Sequence, residues 1–181
     1  ISENLSTIII DPMGIYWSMR RPNEQDVSIL DQWDMKPKGF DVDVYIPKGK
    51  VKDFDEKEMP YDNTFTLNPA ELTAEEWRMA FALEEDSEQN ILLERVIGEL
   101  DEEFGDSYRI EHILKAINSF DFDEKTVKAL ENRFRNAGDW GIFGEESSLD
   151  KLTEREELSV VDVSVFGQMS GGTRVQSLVV G

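Results

Sequence analysis

The apolar and polar positions of this chain alternate in three different rhythms. Near the start, Ile8, Ile9 and Ile10 form an unbroken β-branched run between Thr7 and Asp11. That is the pattern of a strand buried on both faces, as in a parallel sheet covered by helices. Pro12 stops the run, because proline lacks the N–H a ladder needs and holds the residue before it extended. Gly14 then allows a sharp turn. Ile15 to Met19 is short and apolar, and Pro22 ends it; Val27, Ile29, Leu30 and Trp33 approximate helical spacing within residues 24–34. Val42, Val44 and Ile46 alternate with Asp43 and Tyr45, a strand with one polar face, closed by Pro47. Phe65-Thr66-Leu67 reads as a further short strand, ended by Asn68 and Pro69.

From there the rhythm is helical. Thr73 and Glu76 have the spacing of a capping box, with Trp77, Ala80 and Phe81 on one face of the helix that follows. Asp86 or Ser87 caps a longer helix carrying Leu93, Val96, Ile97, Leu100 and Phe104, and Gly105 ends it. Ile110, Ile113, Leu114 and Ile117 predict a third helix. Val127, Leu130, Phe134 and Ala137, capped by Asp123 and stopped by Gly138, predict a fourth. Isolated helices of this length are marginal in water, so each stripe needs a partner, and short loops imply an antiparallel four-helix bundle. Trp140, Ile142 and Phe143, beside Gly141 and Gly144, suggest a loop packed back onto the helices or a nucleotide-side loop. Leu149 and Leu152 make a short turn. Residues 157–164 return to the first rhythm, an apolar run carrying Asp162, and Val175, Leu178, Val179 and Val180 begin another helix. The expected fold class is therefore α+β, with two strands of one sheet bracketing a helical insertion: residues 1–68, then the insertion at 69–145, then a return strand and helix at 146–181. The absence of an initial methionine and the late helix suggest an excised segment of a longer polypeptide.

Composition narrows the function. With 19 basic and 39 acidic residues the net charge is −20, which repels phosphate backbones on average, so the chain alone is not expected to be a general nucleic-acid binder. Four tryptophans and ten phenylalanines argue against wholesale disorder. The absence of cysteine excludes disulfides and thiolate metal sites and fits a cytoplasmic location. No apolar run has the length of a membrane span and no signal peptide is evident. The basic run Lys48, Lys50 and Lys52 is followed at once by Asp53, Asp55 and Glu56, which makes it a solvated loop; Arg20 and Arg21 could contact a phosphate but have acidic neighbours.

Chemistry-bearing motifs are few. No G-x-x-x-x-G-K-[ST] loop occurs, and Gly171-Gly172-Thr173 is no substitute. His112 is the single histidine and falls off its helix's apolar stripe, so paired-histidine metal sites and serine triads have no basis. No catalytic residue and no metal ligand set is assigned. Asp11 is the candidate site residue, since open α/β sheets bind ligands at the carboxyl ends of their strands. A haloacid-dehalogenase-type phosphatase would need a second acid at Met13. A third arrangement has Asp11 and Asp162 together holding Mg²⁺.

At Ile8-Ile-Ile-Asp-Pro-Met-Gly-Ile-Tyr-Trp17 the chain resembles archaeal HerA-type ATPases, relatives of FtsK-like DNA translocases. The likeness continues through Val44-Tyr-Ile-Pro47, Asn68-Pro-Ala-Glu-Leu72 with Trp77, Asp139-Trp-Gly-Ile-Phe143, and Val160-Val-Asp-Val-Ser164 leading into Ser177-Leu-Val-Val180. The resemblance implies a RecA-like motor that uses ATP and Mg²⁺, forms hexamers and moves on double-stranded DNA, with a nuclease as a possible partner. It implies that this chain is the helical insertion with flanking strands of an incomplete RecA-like core, packing against the rest of the ATPase core. The phosphate-binding loop would then precede Ile1, and the catalytic glutamate and the arginine that reaches a neighbouring subunit would follow Gly181. Asp11 matches the family's strand-end aspartate near the nucleotide. The competing expectation is a free-standing helical module that binds another protein.

Overall fold

The computed structural model describes residues 6–148, 152, 158–169 and 171–180. Among these residues the fold is α+β, with seven α-helices and one four-stranded, all-parallel sheet. Strand β1 (Thr7–Asp11) pairs with β4 (Leu158–Asp162), which pairs with β2 (Val42–Pro47), which pairs with β3 (Asn63–Phe65). The last strand in sequence thus lies between the first and the second, so β1 and β2 join one sheet only through it. Ile9 stands opposite Val160, and Val160 opposite Val44. The two apolar runs at either end of the chain are neighbours in one sheet, as the sequence pattern predicts.

One expectation is corrected. The triple isoleucine of β1 does not lie in the sheet's interior but at an edge, where Ile8 is 38% exposed and Ile9 and Ile10 are half-buried. Val160 and Val161 of β4 take the fully buried position instead. A β-branched run reports that a strand is apolar on both faces. It does not report how many neighbours the strand has.

Both faces of the sheet are covered. On one, α7 (Gly172–Val180) lays Val175 and Val179 against Tyr45, Val161 and Phe166. On the other, Phe54 of the short helix α2 (Val51–Glu56) packs with Val44, Ile46 and Val160, joined by Trp17, Met19 and Met59. The segment between β1 and β2 is otherwise open. Its helix α1 (Val27–Asp31) is shorter than the spacing suggests and buries no residue, and Trp33 is 76% exposed. Arg20 ties the segment down: its guanidinium donates to the Val42 carbonyl and pairs with Asp62.

The helical region follows the sequence pattern closely. Helices α3 (Ala74–Phe81), α4 (Glu88–Phe104), α5 (Ile110–Ile117) and α6 (Glu124–Gly138) share one core built on Trp77, Leu93, Ile97, Ile113, Leu130 and Phe134. The capping box forms as predicted: the Glu76 N–H donates to Thr73 Oγ1 at 3.2 Å, and the Thr73 N–H donates to Glu76 Oε2 at 2.7 Å. Ser87, not Asp86, caps α4. Phe104, expected on the buried stripe, is 39% exposed and stacks on His112. The loop after α6 packs back, its Phe143 ring 5.3 Å from Trp77.

The chain enters and leaves this region through one narrow stem. The Leu67 N–H donates to the Ile142 carbonyl at 2.7 Å, the Gly144 N–H to Leu67 at 2.9 Å, and the Ser148 N–H to Thr66 at 3.0 Å. Leu67 therefore belongs to this stem, bridging Phe143, and not to β3. Leu178 of α7 reaches the helical core while its neighbours face the sheet, so one helix closes both bodies. Leu149 and Glu157 lie outside the described residues.

Candidate functional site

Asp11 and Asp162 end β1 and β4 and stand directly opposite each other in the parallel register. In-register residues of neighbouring strands point to the same face, and the strands lie about 4.8 Å apart. Both side chains are buried, at 0% and 1% exposure. Two carboxyl groups therefore share a water-poor spot at the carboxyl end of the sheet, where ligands of open α/β folds bind.

Their surroundings differ. Asp11 accepts four backbone N–H donors from the turn that follows it. Met13 and Gly14 donate to Oδ1 at 3.0 and 2.8 Å, and Ile15 and Tyr16 to Oδ2 at 2.7 and 2.7 Å. Successive backbone N–H groups make an anion-binding concavity, and here the chain fills it with its own carboxylate. Two carboxylate oxygens offer about four acceptor sites, so Asp11 has none to spare. Gly14 makes the turn possible, at φ +68°, and a Cβ there would lie 2.6 Å from Ser164 Oγ and 2.9 Å from Met59 Cε. The Trp17 indole N–H then donates to the Gly14 carbonyl at 3.1 Å, and Arg21 covers the Trp17 ring.

Asp162 has fewer partners. Its Oδ1 accepts the Ser164 N–H at 2.9 Å. Burial pushes its pKa up; the hydrogen bonds from the Ser164 side chain and backbone pull it back. The nearby Asp11 raises it further, and Lys57 lowers it. Asp162 is thus held above the usual carboxylate range, mainly by burial, while Asp11 is an anchored part of a turn.

The structure brings the two carboxyl groups together, as the Mg²⁺ arrangement requires, but leaves Asp11 without a free acceptor site. Four N–H groups already occupy the oxygens of Asp11, whereas a hard cation needs free anionic oxygens. Among the described residues, no cluster of three or more His, Asp or Glu could hold a metal ion. His112 lies elsewhere, on α5, where its Nδ1 accepts the Arg109 N–H at 3.0 Å.

Sequence reasoning found Asp11 and Asp162 but not their neighbours. Lys57 and Met59 come to the site from the loop after α2, and only Ser164 carries a local signal, two residues after Asp162. The four-donor turn was readable in part: Asp followed by Pro and Gly is a turn whose aspartate bonds its own downstream backbone. Against known proteins, the chain matches no protein-family model and no curated protein.

Proposed function

We propose that this chain is part of an ATP-driven motor of HerA type that acts on double-stranded DNA, comprising the helical insertion and the flanking strands of a RecA-like core. The reading rests on the sequence likeness together with one observation: Asp11 and Asp162, on strands separated by the whole helical region, meet in register at the carboxyl end of one parallel sheet. That is what a helical detour between strands of a nucleotide-handling core requires. In this reading Asp11 acts as a positioning residue: it anchors the turn of residues 12–17 beside the nucleotide end of the sheet. ATP and Mg²⁺ are held by residues outside this sequence, since it contains no glycine–lysine phosphate loop. Their chemistry is phosphoryl transfer to water, and it needs backbone donors, a lysine and a metal to hold the developing charge.

The test is DNA-stimulated ATP hydrolysis by the natural polypeptide that contains this chain. The expected result is DNA-stimulated turnover by the natural polypeptide, reduced by Asp11→Ala at a temperature where that variant is still folded, with none from residues 1–181 alone. A natural polypeptide that neither hydrolyses ATP nor binds duplex DNA contradicts the proposal and favours the helical protein-binding module.

A further inference from the structure

The sheet has a second polar opening at its carboxyl end, on the far side of β4 from Asp11. A cleft of about 610 Å³ lies just past the ends of β2 and β3, lined by Lys48, Thr66 and the 141–148 segment. Its size is that of a small-molecule site. It unites two stretches that look unrelated in the sequence, the lysine run and the glycine-rich loop after α6. They meet because Gly49 and Gly141 touch through their backbones. The Gly49 N–H donates to the Gly141 carbonyl at 2.8 Å, and a Cβ on Gly49 would lie 2.5 Å from the Gly141 Cα. No side chain fits at that crossing.

The lining is rich in donors. Lys48 has no hydrogen-bond or ion-pair partner among the described residues. Ser148 Oγ accepts the Thr66 N–H at 3.0 Å and Ser147 Oγ accepts the Asn68 N–H at 2.8 Å. A hydroxyl used as acceptor still has its proton to give. The Thr66 hydroxyl donates to the Glu146 carbonyl at 2.8 Å, which steadies the loop. Of the two acidic residues in the described lining, Glu145 is paired with Arg109 at 2.6 Å, which leaves Glu146 as the uncompensated anion among them. One ammonium and two hydroxyls lining a roomy cleft are donors that suit an oxyanion with several acceptor oxygens. We infer that this cleft binds the phosphate group of a small molecule, with Lys48 as its counter-charge and Ser147 and Ser148 as hydroxyl donors. The inference is independent of the motor reading, because it uses neither Asp11 nor Asp162.

The experiment is an amide NMR titration of the chain at low ionic strength, with inorganic phosphate in one arm and ATP in the other. The expected result is saturable shifts at Gly49 and residues 141–148. Lys48→Glu weakens binding about tenfold or more, and Lys48→Arg retains it. Glu146→Gln tightens binding about two- to threefold, because it removes the repelling charge. Lys52→Glu makes the same change of net charge on an exposed position outside the cleft and leaves affinity within about twofold. Tighter binding of ATP than of phosphate identifies a nucleotide as the source, and equal binding identifies free phosphate. No titration at these amides at millimolar ligand overturns the proposal. So does equal weakening by Lys48→Glu and Lys52→Glu, which reports only the overall charge of the chain. Lys48 is exposed, so these variants keep the fold and the absence of binding is interpretable.

Discussion

Asp11 and Asp162 are the same residue, at the same level of the same sheet, one strand apart, yet their carboxyl groups do opposite things. Asp11 is surrounded by four N–H donors from its own chain. It stabilises a turn by accepting those donors. Asp162 meets Ser164, a neighbouring carboxylate and little else, and burial favours its neutral form. The difference comes from the three residues after each aspartate. Pro12, Met13 and Gly14 curl the chain back over Asp11, with Gly14 at φ +68°. Val163 and Ser164 lead into a short 3-10 helix at Ser164–Gln168 that leaves Asp162 with a single backbone donor among the described residues. Register places a residue at a site; the turn that follows decides which donors its side chain meets.

The largest effect is expected from Asp11→Ala. It strands four N–H groups, two of them shorter than 2.8 Å from the lost carboxylate, and costs about 2–4 kcal/mol in unfolding by urea. Asp162→Ala removes the acceptor of one backbone N–H, that of Ser164, and costs less; equal losses would erase the contrast. Next is Gly14→Ala, which asks an L-residue to adopt φ +68° and sets a methyl against Ser164. It is expected to cost about 1–3 kcal/mol, read as a lowered midpoint at unchanged m-value. A neutral Gly14→Ala would mean the turn is free to relax and does not hold Asp11.

The smallest effect is the most specific. A carboxyl group whose folded pKa is raised destabilises the fold once ionised. Its contribution is most favourable below the unfolded pKa and is lost as pH rises through the folded value. Asp162→Asn removes that loss. The variant is therefore expected to be more stable than the parent at neutral pH, and the gain shrinks as pH falls toward the range of ordinary carboxylates. Stability curves of the two proteins at several pH values check the sign. A variant less stable at neutral pH than in acid, relative to the parent, would place the ionised form as the favoured one.

Much of this architecture is legible in the sequence, for reasons that differ by region. The helical region is local: Thr73 and Glu76 form their box within one turn, and the apolar stripes that carry Trp77, Leu93, Ile113, Leu130 and Phe134 each keep helical spacing within their own helix because each faces one shared core. The sheet is less legible. Ile8–Ile10 and Val160–Val161 announce strands, but strand order depends on distant pairings, so the edge position of β1 could not be read from it. Trp33 misleads for the same reason: helical spacing marks an apolar stripe without saying that anything covers it. At the site, both aspartates were visible as strand ends, whereas Lys57 and Met59 reach it from the loop after α2, and only folding joins them.

The central claim is that strands from the two ends of the chain are neighbours, which alone brings Asp11 to Asp162. The chain has no cysteine, so disulfide trapping has no background. Thr7 stands opposite Leu158, and Leu158 stands opposite Val42 on its other side. A Thr7→Cys, Leu158→Cys variant is predicted to cross-link on mild oxidation, since adjacent strands bring Cα atoms within disulfide range. A Thr7→Cys, Val42→Cys variant, two strands apart at about 10 Å, is predicted not to. Cross-linking of the second pair in preference to the first would place β1 beside β2, and the two aspartates would no longer share a site.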